Sequence, residues 1–365
     1  MIKIVSIQNY KNIRNATIEL DRLTVFVGAN ASGKTSVLEA IHHAARSSTG
    51  KAGRVLDYPR QLDWLYTREG DGDLSITCTT EGGDFALQAT PAVAFPPSLN
   101  LMDTGRWNLK VTSPEGTILD AERKPARSLV FLHLNAAELA KPSYSTRKVP
   151  RIRQNGAGIA SVLAFMALND PDAFDKLIGV MCEFIPQIKR IRFRKTSIKR
   201  SETELVRFGD GTVERRTNRS YPGEAILFDF KNANNVAAHI VSEGTLLMLG
   251  IMTVLLGPSR PKILLIDDIE HGLHPLAQQN LLVAIKKVMQ KFPDLQILAT
   301  AHSPYLLDQL EPKQVRLMTT GSDGYSICGR LEEHPQFDQW KDEMAPGELW
   351  SLFGEKWLAE REAAR

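Results

Sequence analysis

The segment that most constrains this chain is residues 21–36, where a short apolar run leads into a glycine-rich loop and then a helical pattern. The apolar run Leu23–Val27 predicts a buried strand, and Thr35–Arg46 predicts a helix with its apolar residues on one face. Between them, residues 28–35 read Gly-Ala-Asn-Ala-Ser-Gly-Lys-Thr, which matches the spacing G-x-x-x-x-G-K-[ST]. Strand, loop and helix in this order are the context that a phosphate-binding loop needs. The alternative is a plain strand–turn–helix.

The residues of this loop indicate how a nucleotide would be held. Glycines let backbone N–H groups turn towards phosphate oxygens, and the helix N-terminus adds a partial positive charge. We expect Lys34 to reach the β- and γ-phosphates and Thr35 to bind Mg²⁺. The predicted nucleotide-binding residues of the loop are Gly28, Asn30, Ser32, Gly33, Lys34, Thr35 and Ser36.

The composition excludes several classes of protein. The chain has 365 residues, 45 Lys plus Arg and 42 Asp plus Glu, so its net charge is +3 and any affinity for nucleic acid must come from a local patch. Its three cysteines are far apart, which fits a reducing compartment and offers no zinc site. No signal-peptide core and no apolar run of about 18 residues is present, so we expect a cytoplasmic protein without a membrane span.

The rest of the chain predicts an α/β core with additions. Residues 73–120 contain strand-like stretches around glycine turns, the last at 117–119, and predict a small antiparallel insert. Residues 155–257 predict a more helical lobe that also carries basic strands, and residues 258–330 return to the core. Residues 331–365 hold three of the five tryptophans and predict short helices, which either cap the core or dock a partner.

The stretch 189–200 is strongly basic, with seven Lys or Arg residues and no acid. Ile191 and Phe193 alternate with arginines, which predicts a strand with a basic face, and a hairpin is predicted between 205–208 and 212–216. Such a face is a candidate for phosphate contacts, while a solvated face or pairing with acids elsewhere stays open. The candidate nucleic-acid residues are Lys189, Arg190, Arg192, Arg194, Lys195, Lys199 and Arg200.

Two further buried-strand patterns end in functional residues. The run Ile263–Ile266 is followed by Asp267 and Asp268, and Leu295–Thr300 leads to His302. The C-terminal ends of strands are where α/β sheets place their ligand chemistry. Before them, Ser-Glu-Gly at 242–244 precedes an apolar helical pattern.

The phosphate loop, Ser-Glu-Gly, Asp-Asp and His302 stand in a fixed order, and together they resemble the ABC-type ATPase heads of the RecF, SMC and OLD (overcoming lysogenisation defect) group, often described as AAA-family ATPases. The resemblance covers roughly residues 1–330, and Asn-Tyr-Lys-Asn-Ile at 9–13 resembles the start of that group. It implies a P-loop NTPase fold, an ABC-ATPase-like head with the antiparallel β insert and the helical lobe, and it implies ATP and Mg²⁺ as cofactors.

The resemblance also implies roles for single residues. Asp267 would hold Mg²⁺ with Thr35. Asp268 stands where the group usually has a catalytic Glu that polarises the attacking water. Its shorter side chain predicts slow hydrolysis, or assistance from Glu270. His302 would contact the γ-phosphate, with a structural core histidine as the alternative. Lys34, Asp268, Glu270 and His302 are therefore the predicted catalytic residues.

Partners follow from the same resemblance. Ser242, Glu243 and Gly244 would meet the ATP of the opposite subunit, which implies a homodimer with ATP at the interface and leaves higher oligomers open. The chain lacks coiled-coil arms, and only about 60 residues follow His302, too few for the nuclease domain of many OLD proteins. We therefore expect a switch that senses DNA or a phage component and controls a separate effector, a nuclease or toxin, in bacterial defence. A low-turnover ATP-dependent scaffold and a RecF-like DNA repair ATPase are the alternatives.

Overall fold

The computed structural model of the protein describes residues 1–48, 65–67, 70–91, 107–112, 128–208 and 211–363. The chain falls into two units. The first unit comprises Met1–Phe131, Pro261–His271 and Gln278–Arg365, and the second comprises Leu132–Arg260 and Gly272–Ala277.

A six-stranded sheet forms the centre of the first unit. Strand β3 lies between β13 and β12 and is parallel to both, β12 is parallel to β11, and β13 pairs antiparallel with β14. Every residue of β3, β11 and β12 is buried, as expected for parallel strands with continuous apolar sequences. In spatial order the strands are β14 (Ser326–Arg330), β13 (Val315–Thr320), β3 (Leu23–Gly28), β12 (Gln296–Ala301), β11 (Ile263–Ile266) and β7 (Leu129–Leu132).

A second, antiparallel sheet of the first unit contains the predicted insert. Strand β4 pairs with β1, so the strands at 74–112 continue the N-terminal hairpin rather than forming a sheet of their own. The strand predicted at 117–119 lies outside the described residues. In spatial order the strands are β2 (Ile13–Glu19), β1 (Ile2–Tyr10), β4 (Leu74–Thr80), β5 (Phe85–Pro91) and β6 (Trp107–Thr112).

Helix α1 (Lys34–Arg46) joins the two sheets of the first unit in one hydrophobic core. Its Leu38 and Ile41 are fully buried in the same cluster as Ile76 of the antiparallel sheet and Leu298 of the parallel sheet. Burial of such side chains contributes roughly 1.5–3 kcal/mol each. Contacts with both sheets therefore fix the position of α1, and its first residue, Lys34, lies in the phosphate loop.

The second unit combines helices with a long hairpin. Helix α4 begins at Pro171, and the Asp170 side chain caps it by accepting the Ala173 N–H at 3.1 Å. The hairpin strands have 21 and 20 residues, so the short strands predicted near 190–194, 205–208 and 212–216 belong to two continuous ones. The elements are α2 (Ala136–Leu139), α3 (Ile159–Asn169), α4 (Pro171–Phe184), β8 (Ile188–Phe208), β9 (Gly211–Phe230), β10 (Val236–Ala237) and α5 (Glu243–Leu256).

The tryptophan-rich tail packs against the first unit. Leu349 and Leu358 are fully buried and Trp357 is buried, which fits the predicted cap rather than a free docking surface. Across the described ranges, no helix has both the length and the apolar character that crossing a membrane requires. The remaining helices are α6 (Pro275–Lys291), α7 (Pro304–Leu307), α8 (Phe337–Trp340), α9 (Pro346–Phe353) and α10 (Lys356–Ala363).

Candidate nucleotide-binding site

Three neighbouring parallel strands of the first unit bring the predicted site residues together. Strand β3 ends at Gly28 and runs into the phosphate loop, β11 is followed by Asp267, and β12 is followed by His302. Because β12 lies between β3 and β11, the carboxyl ends of all three strands meet at one edge of the sheet.

The two glycines of the phosphate loop are required by close packing. Gly28 has φ 146°, and a Cβ there would lie 1.9 Å from the Met318 carbonyl oxygen of β13. Gly33 has φ 98°, and its Cβ would lie 2.3 Å from the Ser326 Oγ of β14. No other residue fits these positions without moving a neighbour, so the motif is fixed by the sheet as well as by any phosphate.

Lys34 lies folded over the loop and is only 5% exposed. Its Nζ donates to the Gly28 carbonyl at 3.0 Å and to the Ala29 carbonyl at 2.7 Å. Burial lowers the pKa of Lys34, and the carboxylates of Asp268 and Glu355 oppose this most strongly. The ammonium thus lies against the loop that is predicted to bind phosphate, and its contact with a phosphate stays a prediction.

Thr35 and Asp267 form the predicted pair of hard oxygen donors. The Thr35 hydroxyl donates to Asp267 Oδ1 at 2.9 Å, and the Thr300 hydroxyl donates to the same oxygen at 2.7 Å. Mg²⁺ is usually bound by one or two protein oxygens together with water and substrate phosphates. Within the described part of the chain no group of three or more His, Cys, Asp or Glu residues could hold a metal. The donors present therefore fit a magnesium ion shared with a nucleotide.

Two carboxylates surround His302. Its Nε2 lies 3.6 Å from Asp268 Oδ1, and the Glu270 carboxylate accepts its backbone N–H. Burial is the main effect that raises the pKa of Glu270 and lowers the pKa of His302. Glu270 Oε2 is buried and accepts no hydrogen bond from the described residues. This oxygen is a second acceptor, beside the Asp268 carboxylate, for a water molecule in the site.

The Ser242–Gly244 segment belongs to the second unit, where it starts helix α5. The Ser242 hydroxyl lies 2.8 Å from the Thr245 hydroxyl, and a Cβ at Gly244 would lie 3.0 Å from the Gly272 carbonyl oxygen. Glycine at 244 is therefore explained by local packing, and the contact of Ser242, Glu243 and Gly244 with a partner's ATP stays a prediction.

The basic residues at 189–200 also lie in the second unit, on β8. Arg192 pairs with Asp229 at 2.6 Å, and Lys195 pairs with Glu224 at 2.8 Å. Pairing with acids elsewhere in the chain was one alternative left open by the sequence, and Arg192 and Lys195 follow it. The strand register places Ile191 and Phe193 on the face opposite the arginines, as predicted. Their contact with nucleic acid stays a prediction.

Two residues of this site were not found from the sequence. Asn12 donates to the Ala31 carbonyl at 3.0 Å and accepts a hydrogen bond from the Ser36 hydroxyl at 3.2 Å, so it joins the middle of the phosphate loop to the first turn of α1. Its position within the motif at 9–13 was the available signal. Glu355, between α9 and α10, acts on Lys34 more strongly than Asp267 does. No local sequence pattern marks Glu355, because it is the packing of the C-terminal tail that brings this residue near Lys34.

Two family models match the chain. Residues 120–308, just over half of the chain, match the family described as "AAA domain, putative AbiEii toxin, Type IV TA system", and residues 1–81 match an "AAA ATPase domain".

Curated relatives include RecF proteins, described as DNA replication and repair proteins. RecF of Clostridium tetani (strain Massachusetts / E88) is 27% identical over 153 residues, which is 39% of this chain and 40% of the relative. RecF of Clostridium botulinum (strain Eklund 17B / Type B) is 39% identical over 76 residues, which is 20% of this chain and 19% of the relative. The chain thus matches less than half of the length of these relatives.

Solved structures with a similar fold include SMC heads. One SMC head, bound to the C-winged helix domain of ScpA, has a TM-score of 0.54 at 13% identity and covers 92% of this chain and 99% of its own. Another, with an extended coiled coil and bound to the C-terminal domain of ScpA derived from Pyrococcus furiosus, has a TM-score of 0.53 at 12% identity and covers 94% and 99%. These likenesses confirm the predicted α/β P-loop fold of the ABC-ATPase type. The family match, together with the phosphate loop, places the chain in the AAA family of ATPases, with sequence similarity to RecF over part of its length and a fold similar to that of SMC heads.

Proposed function

We propose that this protein hydrolyses ATP with Mg²⁺ and works as a dimeric switch that controls a partner effector. The observation that carries the proposal is the meeting of Lys34, the Thr35–Asp267 pair and the Asp268–His302 pair at the end of three parallel strands. A lysine for phosphate, oxygen donors for a metal and a carboxylate for water are the parts that phosphoryl transfer to water needs.

Each side chain has a separate task in this proposal. Lys34 exchanges its bonds to the loop carbonyls for bonds to phosphate oxygens, and Thr35 and Asp267 hold the metal. Mg²⁺, when bound, neutralises charge on the phosphates. Asp268 orients the attacking water, with the buried Glu270 as a second acceptor. His302, whose Nε2 lies 3.6 Å from Asp268 Oδ1, contacts the γ-phosphate beside the attacking water.

The dimer and its effector form the wider part of the proposal. Ser242–Gly244 starts a 14-residue helix, whose N-terminus offers backbone N–H groups and a partial positive charge to a partner's γ-phosphate. ATP would then favour the closed dimer, and its loss would open it. The family description names a toxin system, which supports a toxin or nuclease as the controlled partner and a role in bacterial defence.

Hydrolysis of ATP by the purified protein tests the proposal. We expect Lys34→Ala to reduce nucleotide binding and hydrolysis together. Asp268→Asn should keep ATP binding, lower kcat by about 100-fold or more and trap an ATP-dependent dimer, because it removes the charge that orients the water. Turnover assays with light scattering check both variants. Unchanged hydrolysis by Asp268→Asn would contradict the role given to this carboxylate, and Glu270→Gln would then be the next variant.

Two other functions are each favoured by one observation. Aspartate at 268 favours a scaffold that binds ATP and turns over little; ATP binding without measurable hydrolysis would support it. The match to RecF over 153 residues favours a DNA repair ATPase. Hydrolysis stimulated by duplex DNA would support that function, or a sensor of DNA, and hydrolysis indifferent to DNA would point to a protein trigger.

A further inference from the structure

The second unit contains a basic cleft between the hairpin and the segment that follows α2. We define the basic cleft by two walls, one formed by residues 138, 141–147, 150–153, 157–158 and 161, and the other by Ile198–Arg200 of β8. It encloses about 500 Å³. One acid lines it, Glu138, and this residue is paired with Lys141. The basic residues that line it are Lys141, Arg147, Arg151, Arg153, Lys199 and Arg200.

The cations are gathered by a segment with fixed backbone contacts. Ser143 and Glu224 exchange two backbone hydrogen bonds of 3.0 and 2.9 Å, which join the segment to β9. The Ser143 hydroxyl accepts the Ser161 N–H at 2.9 Å, which joins it to α3. A Cβ at Gly223 would lie 2.8 Å from the Ser143 carbonyl oxygen, so glycine permits this approach. These backbone contacts hold the segment in place against the mutual repulsion of its Lys and Arg side chains, without a ligand.

Aromatic contacts fix the mouth of the basic cleft. The rings of Tyr144 and Tyr221 stack with centroids 4.5 Å apart and planes 2° apart. Arg200 Nη1 donates to the Tyr144 hydroxyl at 3.0 Å. Arg219 stands directly opposite Arg200 on the neighbouring strand, so the basic surface continues from the cleft along the hairpin.

From this arrangement we propose that the basic cleft binds the phosphate backbone of single-stranded nucleic acid. A concave basic groove beside stacked aromatic rings is the combination that proteins use for single strands. The continuation of positive charge beyond the cleft matches an extended polyanion better than a single phosphorylated small molecule. The basic cleft shares Lys199 and Arg200 with the candidate nucleic-acid residues at 189–200, and it adds Arg147, Arg151 and Arg153, which lie on the opposite wall.

The test is binding of a fluorescent single-stranded oligonucleotide of about 20 nucleotides by the full chain without ATP, followed by anisotropy. We expect Arg151→Glu and Arg153→Glu each to weaken binding about tenfold near 0.1 M salt and to lower the slope of log K against log salt by about 0.7 per lost phosphate contact. Lys148→Glu is the matched control, because Lys148 lies on the same exposed segment but does not line the basic cleft. It should change the affinity less than twofold.

Three results would overturn the inference. The first is equal weakening by Lys148→Glu, which would show diffuse attraction. The second is equally tight binding of duplex DNA, which would exclude selection of a single strand. The third is displacement by inorganic phosphate or thymidine monophosphate at the concentration of the oligonucleotide's own phosphates, which would indicate a small-ligand pocket. Lys34→Ala should bind the strand normally, so a failure of the proposed ATPase activity remains distinguishable from a failure of the basic cleft.

Discussion

Asp268 has a backbone conformation that is uncommon for residues other than glycine. Its φ is 50°, in the left-handed region that Asp and Asn tolerate better than longer side chains. The backbone is held there because the Asp268 N–H donates to the Thr300 hydroxyl at 2.8 Å and the Ile269 N–H to the Thr300 carbonyl at 3.1 Å. The local conformation thus gives a physical reason for a short side chain such as aspartate at this position.

Replacing Asp268 with glutamate should change the rate of hydrolysis and the free energy of unfolding in opposite directions. We expect Asp268→Glu to raise kcat about tenfold, because the added methylene brings the carboxylate nearer to the attacking water. The same variant should lower the free energy of unfolding by about 1 kcal/mol, because glutamate fits the left-handed backbone less well. Single-turnover hydrolysis and urea unfolding measure the two effects, with Asp268→Asn as the control that keeps stability without activity. A fall in kcat would show that Asp268 already has the required reach.

At the residue scale, the sequence predicted what local spacing encodes. Gly28, Lys34 and Thr35 belong to one eight-residue motif, and Asp267 and His302 each follow an apolar strand. The sequence marked Lys199 and Arg200 as basic candidates but could not predict that residues 141–153 meet them in one cleft, or that Glu355 lies near Lys34. Both arrangements depend on contacts between segments that are distant along the chain.

At the element scale, helix α9 of the C-terminal tail packs closely against α7, and Gly347 permits this contact. A Cβ at Gly347 would lie 2.0 Å from the Pro304 carbonyl oxygen, and the Gly347 N–H donates to Asp308 Oδ1 at 3.0 Å. Helix α7 follows His302 almost directly in the chain. The tail therefore packs against the segment that directly follows His302.

Two glycine substitutions should have opposite effects on stability. Gly347→Ala should lower the free energy of unfolding by about 2 kcal/mol, because the methyl group overpacks the contact of α9 with α7, and it should slow hydrolysis by moving the His302 segment. Gly179→Ala is the control within exposed α4, where a Cβ meets nothing within 4 Å. It should raise the free energy of unfolding by about 0.5–1 kcal/mol. Equal effects of the two substitutions in urea unfolding would contradict the packing argument.

Elements were predicted better than their pairing. Helix α1 was predicted to within one residue of its bounds because its apolar periodicity is a local signal. The pairing of β4 with β1 joins residues some 70 positions apart, which no local pattern encodes. The full length of the β8–β9 hairpin was missed because much of it is polar on both faces, so the alternation that predicts half-buried strands is absent.

At the scale of the whole molecule, acid should weaken the first unit through α1. Burial, with His43 and Arg46, lowers the pKa of His42 to about 3, and burial, with Lys11 and Arg46, lowers the pKa of His43 to about 4. Both values lie below the ordinary 6.5, so the unfolded chain takes up more protons than the folded one as the pH falls. The stability that neutral histidines allow is present above pH 6.5 and is lost progressively towards pH 4.

Unfolding in urea at pH 7 and pH 5 measures this loss. We expect the free energy of unfolding to fall by about 2 kcal/mol per histidine between these values. His42→Phe should retain the aromatic contact with Phe131, whose ring centroid is 5.3 Å from that of His42, and should remove about half of the pH dependence. An unchanged dependence in this variant would assign the acid sensitivity to other groups.

The long hairpin has a consequence for self-association. Strand β8 is the outer strand of its three-stranded sheet, so its backbone N–H and C=O groups along one side have no neighbouring strand within the described residues. Open edges of this kind invite pairing with the same edge of another copy, which leads to aggregates. Lysine and arginine along β8 make such pairing costly by electrostatic repulsion. The positive charge of this strand therefore also opposes edge-to-edge pairing of β8 with the same strand of another copy.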